Sequence, residues 1–196
     1  MSNAIFTKDF KARPFWWEAH EPKPLPEIAL PKQARVVIIG AGYAGLNAAL
    51  ELNREGLDCI VLDANEPGFG GSSRNGGMVS GGVNVGKRYM AKALSPEEAA
   101  PFLNDAADAF GHIEDLIARE KIDCGWTRAG YFLGAWCKSH YDGMAKKVDM
   151  LNQSARSEAF IVPPERQREE IGSDYYRGGM VVGRAGHLHP ALFFKG

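Results

Sequence analysis

No run of about 18 apolar residues occurs in this 196-residue sequence, so no segment reads as a membrane-spanning helix. The first twenty residues carry Asp9 and Glu18 and no apolar stretch of the kind a secretion signal needs. Charge of one sign is lacking too: 23 basic residues stand against 24 acidic ones, a net charge of -1, so neither nucleic acid nor an anionic membrane is an expected partner. Cysteine is scarce. Cys59, Cys124 and Cys137 are odd in number and too widely spaced for a CxxC zinc or redox motif, which suits reduced thiols in a cytoplasmic protein.

What the sequence has in excess is glycine, 23 residues, well above the usual share of about 7 %. Ordinary proportions of hydrophobic (45 %) and charged (24 %) residues predict a globular chain, long enough for one domain or one and a half. An opening arm, residues 1–34, holds Phe15, Trp16 and Trp17 and then Pro22, Pro24, Pro26 and Pro31, a pattern for extended backbone. Three adjacent aromatics are costly in water, so the arm is expected to pack on its own domain, with a partner-binding arm as the other option.

The run Val36, Val37, Ile38, Ile39 predicts a strand covered on both faces of a parallel sheet. Helical spacing follows through Leu46, Ala49, Leu50 and Leu52, with Gly56 placed to end the helix in a left-handed conformation. A second strand is predicted over residues 59–62, and then a glycine-rich loop over 68–86 without helical or strand period. Ser95-Pro96-Glu97-Glu98 reads as a capping box. It opens a long amphipathic helix with Phe102, Leu103, Ala106, Phe110, Ile113, Leu116 and Ile117 on one face. Beyond it, strands are expected at 131–135, 160–162 and 180–182, and helical stretches at 140–153 and 164–171. The fold class is therefore α/β: a Rossmann-like βαβ over 35–92, an inserted α+β cap or substrate region over 93–185, and a return toward the first domain over 186–196. Phe193 and Phe194 stand in the first turn of another helix, so the sequence is expected to be the N-terminal part of a longer protein, incomplete at its C-terminus.

Gly40-Ala41-Gly42-Tyr43-Ala44-Gly45 is GxGxxG in its required context, after a buried strand and at the head of a helix. Gly40 serves the tight turn, Gly42 the approach of a pyrophosphate, and Gly45 the close packing of helix on strand. Asp63, 18 residues beyond Gly45, ends the second strand where a carboxylate accepts hydrogen bonds from ribose hydroxyls. No arginine follows it, so a 2′-phosphate is not invited. These residues alone leave NAD and FAD open.

The next loop, Gly71, Ser72, Ser73, Arg74, Asn75, Gly76, Gly77 and Met78, resembles, with the fingerprint before it, the FAD-dependent oxidoreductases of the D-amino-acid oxidase superfamily. Within that superfamily, the Phe15-Trp16-Trp17 arm and the loop look most like the γ-glutamylputrescine oxidoreductase branch. The resemblance runs from Phe15 onward and implies an FAD cofactor, with residues 71–78 passing along its pyrophosphate toward the flavin. Backbone amides of small residues and the Arg74 guanidinium suit an anion of that kind. It also implies a small amine or amino acid as substrate, oxidised at the C–H beside nitrogen by hydride transfer to flavin. The redox chemistry would belong to the cofactor.

Other features are less specific. His187 and His189 precede a proline; they are structural, or contact substrate near the flavin, and no Cys, Asp or Glu cluster accompanies them to make a metal site. Trp126, Tyr131, Phe132 and Trp136 read as core, with an amine pocket as the other option. The charge run Glu165, Arg166, Arg168, Glu169, Glu170 reads as a solvated helix face. Two alternatives to an FAD enzyme stay open: a non-catalytic chain that keeps the binding motifs, and an NAD-dependent dehydrogenase.

Overall fold

The structure, a computed structural model, describes residues 5–80 and 95–196, apart from the side chains of Pro96, Ala99 and Leu103. Gly81, Gly82 and Gly86 of the glycine-rich segment, and the expected apolar face at Leu103, lie outside the described residues. The chain forms two units, residues 1–77 with 189–196, and residues 78–188.

In the first unit, strands β1 (Val36–Ile39) and β2 (Cys59–Leu62) pair in parallel, Val36 opposite Cys59 and Ile39 opposite Leu62. Helix α1 (Tyr43–Arg54) is the crossover between them. It stops where the sequence places Gly56, whose φ of +72° only glycine adopts without strain. Leu57 then donates to the Leu52 carbonyl at 2.8 Å, closing the helix end. The strand expected to be covered on both faces is covered on one. Ile38 faces α1, with its Cγ2 3.2 Å from where a Cβ on Gly45 would stand, while Val37 and Ile39 are 50 % and 80 % exposed. Alternate side chains of a strand point to opposite sides, and within this unit the side away from α1 is open.

Three short elements complete the unit: 3-10 turns at Phe15–Glu18 and Gly71–Ser73, and helix α5 (Pro190–Lys195). α5 begins at Pro190, where the missing N–H is no loss.

The second unit holds strand β3 (Met78–Ser80), the long helix α2 (Pro96–Glu120), strand β4 (Tyr131–Gly134), helices α3 (Lys138–Ala145) and α4 (Val148–Ala155), and strands β5 (Ala159–Val162), β6 (Gly179–Val182) and β7 (Ala185–His187). β4, β6 and β5 form an antiparallel sheet in that order, and β3 pairs antiparallel with β7. Ser95 and Glu98 close both halves of the capping box at the head of α2. Met144, Val148 and Leu151 from α3 and α4 pack on Ala159, Met180, Val182 and Ala185, the core of the unit. The helical stretch expected at 164–171 is a 3-10 turn, Pro164–Glu169; Gln167 is buried beneath it and its Oε1 accepts from the Gly178 amide at 3.2 Å.

Candidate functional site

The βαβ turn of the first unit is built by two glycines and an acid. A Cβ on Gly45 would stand 1.9 Å from the Gly40 carbonyl oxygen, so only glycine lets α1 start this close to the turn. Gly40 itself has φ +103°. Its amide donates to the Leu62 carbonyl at 2.7 Å, which ties the end of β1 to the end of β2. Asp63 continues that tie. Its Oδ2 accepts from the Ala41 amide at 2.6 Å and its Oδ1 from the Asn65 amide at 3.0 Å. The amides of Asn65, Ala41 and Ala64 together hold its carboxyl below the usual value of 3.8. A carboxylate has about four lone-pair positions, so these amides leave room for further donors, and Asp63 is exposed.

At the head of α1 the first amides lack intrahelical acceptors and carry the positive end of the helix dipole. Ser72 supplies one acceptor, its Oγ 3.0 Å from the Tyr43 amide. A Cβ on Gly42 would come within 2.9 Å of that same Oγ, so Gly42 keeps the loop close to the helix. Ala44 is exposed at this end. The 71–77 loop therefore lies across the amide-rich turn, which is where a diphosphate binds in a dinucleotide fold.

The loop is held from within and from the arm. Asn75 Nδ2 contacts the carbonyls of Gly71 and Ser72 at 3.2 Å and the Tyr43 hydroxyl at 3.3 Å, while its Oδ1 accepts from the Gly77 amide at 2.8 Å. Ser73 is 1 % exposed. Its hydroxyl donates to the Gly68 carbonyl and accepts from Trp17 Nε1, both at 2.7 Å. Arg74 donates from Nε to the Gly70 carbonyl, and its guanidinium carbon lies 4.9 Å from the Phe69 ring centre and 5.5 Å from that of Trp17. The expectation that the aromatic arm packs on its own domain is met at Trp16 and Trp17, whereas Phe15 is exposed.

α5 braces the same region. Its Phe193 and Phe194 rings lie 5.4 and 6.3 Å from Tyr43, and Phe194 fills the space that a Cβ on Gly68 would need. His189 caps α5, its Nδ1 accepting from the Leu192 amide at 3.2 Å, with Trp16 edge-on at 4.8 Å. Of the two readings the sequence leaves for His189, structural or in contact with substrate, this cap gives its ring a structural task. Trp16, Trp17, Gly68, Phe69, Phe193 and Phe194 all shape this site, and their partners lie too far along the chain for local pattern to reveal.

Met78 and His187 belong to the second unit and stand directly opposite each other in the β3–β7 pair, both exposed. The His187 backbone also pairs with Thr127, its N–H donating at 3.0 Å and its carbonyl accepting at 2.9 Å. Of the four aromatics read as core, Tyr131 is exposed, while Trp126 and Phe132 are half-buried, Trp126 lying edge-on to buried Phe110 at 5.9 Å. Trp136 is also exposed, beside Tyr175 and Tyr176, at a cavity of about 580 Å³ that Tyr141, Asp142 and Arg177 also line. No group of three or more His, Cys, Asp or Glu residues stands together as a metal site among the described residues. None of their helices is long and apolar enough to cross a membrane.

A family model described as FAD dependent oxidoreductase matches residues 35–196. "Probable oxidoreductase OrdL" of Haemophilus influenzae is 30 % identical over 175 residues, covering 87 % of this chain and 40 % of that protein. Gamma-glutamylputrescine oxidoreductase of Escherichia coli is 28 % identical over 155 residues, covering 79 % and 36 %. Among solved structures, L-amino acid deaminase from Proteus vulgaris aligns with a TM-score of 0.67 at 22 % identity, over 89 % of this chain and 44 % of that one. Glycine oxidase from Geobacillus kaustophilus aligns with a TM-score of 0.62 at 18 % identity, over 82 % and 42 %. The fold is thus that of the FAD-dependent oxidases, and the chain spans roughly two-fifths of the length of the relatives it matches.

Proposed function

The chain belongs to the DAO family of FAD-dependent oxidoreductases, and from that premise we propose that its first unit binds the ADP half of FAD in an enzyme that oxidises a small amine or amino acid. The observation that carries the proposal is Asp63, an exposed carboxylate pinned by the Ala41 and Asn65 amides beside the head of α1. In this reading Gly40, Gly42, Tyr43, Ala44 and Gly45 receive the pyrophosphate at the helix N-terminus, and Asp63 accepts the ribose hydroxyls.

Gly71, Ser72, Arg74, Asn75, Gly76, Gly77 and Met78 follow along the rest of the cofactor. Ser73, with its hydroxyl committed to Gly68 and Trp17, serves by fixing the shape of that loop. When bound, FAD would supply the hydride acceptor for the C–H bond beside the substrate nitrogen, with the substrate leaving as an imine that water hydrolyses and the electrons passing on to oxygen or another acceptor. The part of these residues is to bind and orient, and none of them need act as acid or base. The name of the Escherichia coli relative, an oxidoreductase of gamma-glutamylputrescine, supports an amine substrate.

The test is direct. The full chain is mixed with FAD, passed through gel filtration and read for a flavin spectrum, then exposed without oxygen to a panel of amines and amino acids. Retained flavin that bleaches with one of them is the expected result; protein that emerges colourless sinks the proposal. A second reading, cofactor binding without turnover, is favoured by the open face at Val37 and Ile39. It expects retained flavin that no substrate bleaches.

A further inference from the structure

The proline-containing arm runs past the acid that marks the nucleotide site. Leu25, Ile28 and Leu30 line a groove of about 540 Å³ whose other walls include Leu62, Asp63 and Asn65. That volume lies within the range of small-ligand sites, roughly 300–1,000 Å³. The three arm residues are 67 %, 81 % and 66 % exposed, although each is a large apolar side chain. Apolar side chains clustered at the rim of a groove with one polar end mark a place where something amphipathic binds.

The groove has two kinds of wall. Its polar end is the Asp63 carboxylate, whose lone pairs beyond the Ala41 and Asn65 amides suit a vicinal diol. Its sides are aliphatic, from Leu25, Ile28 and Leu30 on the arm and from Leu62 on β2. A ribose carrying a flat, weakly polar base presents those two chemistries at the matching ends. The arm is also preset to serve as a wall. Pro22, Pro24, Pro26 and Pro31 fix φ and keep the backbone extended, so little conformational entropy remains to be lost when a ligand is covered. Upstream, the arm is anchored by Trp16 on His189 and by Trp17 on Ser73.

We propose that Leu25, Ile28 and Leu30 of the arm form the outer wall of the adenosine subsite, covering the base while Asp63 holds the ribose. This rests on the reading of the first unit as an FAD site. It adds a segment that lies before residue 35, where the family match begins. The recognised chemistry is the adenosine diphosphate moiety, whether free or as part of FAD.

The experiment compares the full chain with a Leu25→Ser, Ile28→Ser double variant. Binding of FAD is followed by flavin fluorescence, binding of ADP by its competition with FAD, and the arm by hydrogen exchange at the Leu25, Ile28 and Leu30 amides. Both substituted residues are exposed, so the unliganded variant should unfold at the same temperature as the parent chain. The expected result is a Kd about tenfold higher for FAD and for ADP alike, together with slower arm exchange in the parent chain once ADP is added. Unchanged affinity in the double variant with unchanged exchange on ADP addition overturns the arm as a wall and leaves the FAD reading standing. A parent chain that binds neither FAD nor ADP overturns both. Binding of FAD with no competition from ADP overturns the adenosine assignment of the groove.

Discussion

Asp63 acts on the backbone as well as on any ligand, and the two roles separate by pH. Its carboxyl is held below 3.8 by backbone amides, so its contribution to the turn is complete above that value and disappears as pH falls through the depressed one. Asp63→Asn should remove that acid-side slope from a pH series of denaturation midpoints and raise the FAD Kd about tenfold. At Gly45 the limit is steric. Alanine there would drive its Cβ to 1.9 Å from the Gly40 carbonyl oxygen, a backbone atom that cannot swing aside, and should cost about 3 kcal/mol or more by chemical denaturation. Trp17→Phe keeps most of the ring but removes the donor to Ser73, for an expected loss of about 1 kcal/mol and weaker flavin binding. The identities of the glycines and Asp63 were legible from spacing. Their clamps were not: the Ala41–Asp63 and Trp17–Ser73 bonds join positions far apart in sequence, and no local pattern carries that information.

Among the elements, what the sequence makes legible follows the strength of local signals. β-branched runs, the glycine stop and the capping box placed β1, α1, β2 and the start of α2, because each is written in a few adjacent residues. Ser95→Ala should therefore lower stability by about 1 kcal/mol and leave FAD affinity unchanged, a contrast that thermal unfolding and flavin titration together would show. The four-residue strands β4, β5 and β6 are legible as apolar runs, whereas the shortest elements are not. The 3-10 turn at Gly71–Ser73 and strand β3 have too few residues to show a period, and β3 exists through pairing with β7, distant in sequence. The stretch at 140–153 divides into α3 and α4 at Lys146 and Lys147, with neither glycine nor proline at the break. Met144, Val148 and Leu151 all reach the same core, so apolar spacing alone showed no interruption. β1 also differs from its sequence pattern in having one covered face. Ile39→Thr, on the open side, should change the stability of this chain by no more than about 0.5 kcal/mol.

For the molecule as a whole, a nucleotide held by the first unit should stabilise that unit by mass action, about 2.7 kcal/mol when FAD is at a hundred times its Kd. Hydrogen exchange should show the gain at α1 and β2. The first unit is also discontinuous: it is made of residues 1–77 and 189–196, with the whole of the second unit threaded between them in sequence. Tyr43, Gly68 and Trp16 find Phe193, Phe194 and His189 only from that last segment. During synthesis, residues 78–188 are made before 189–196, so the nucleotide cradle waits for the whole of that insertion before it receives its brace from α5.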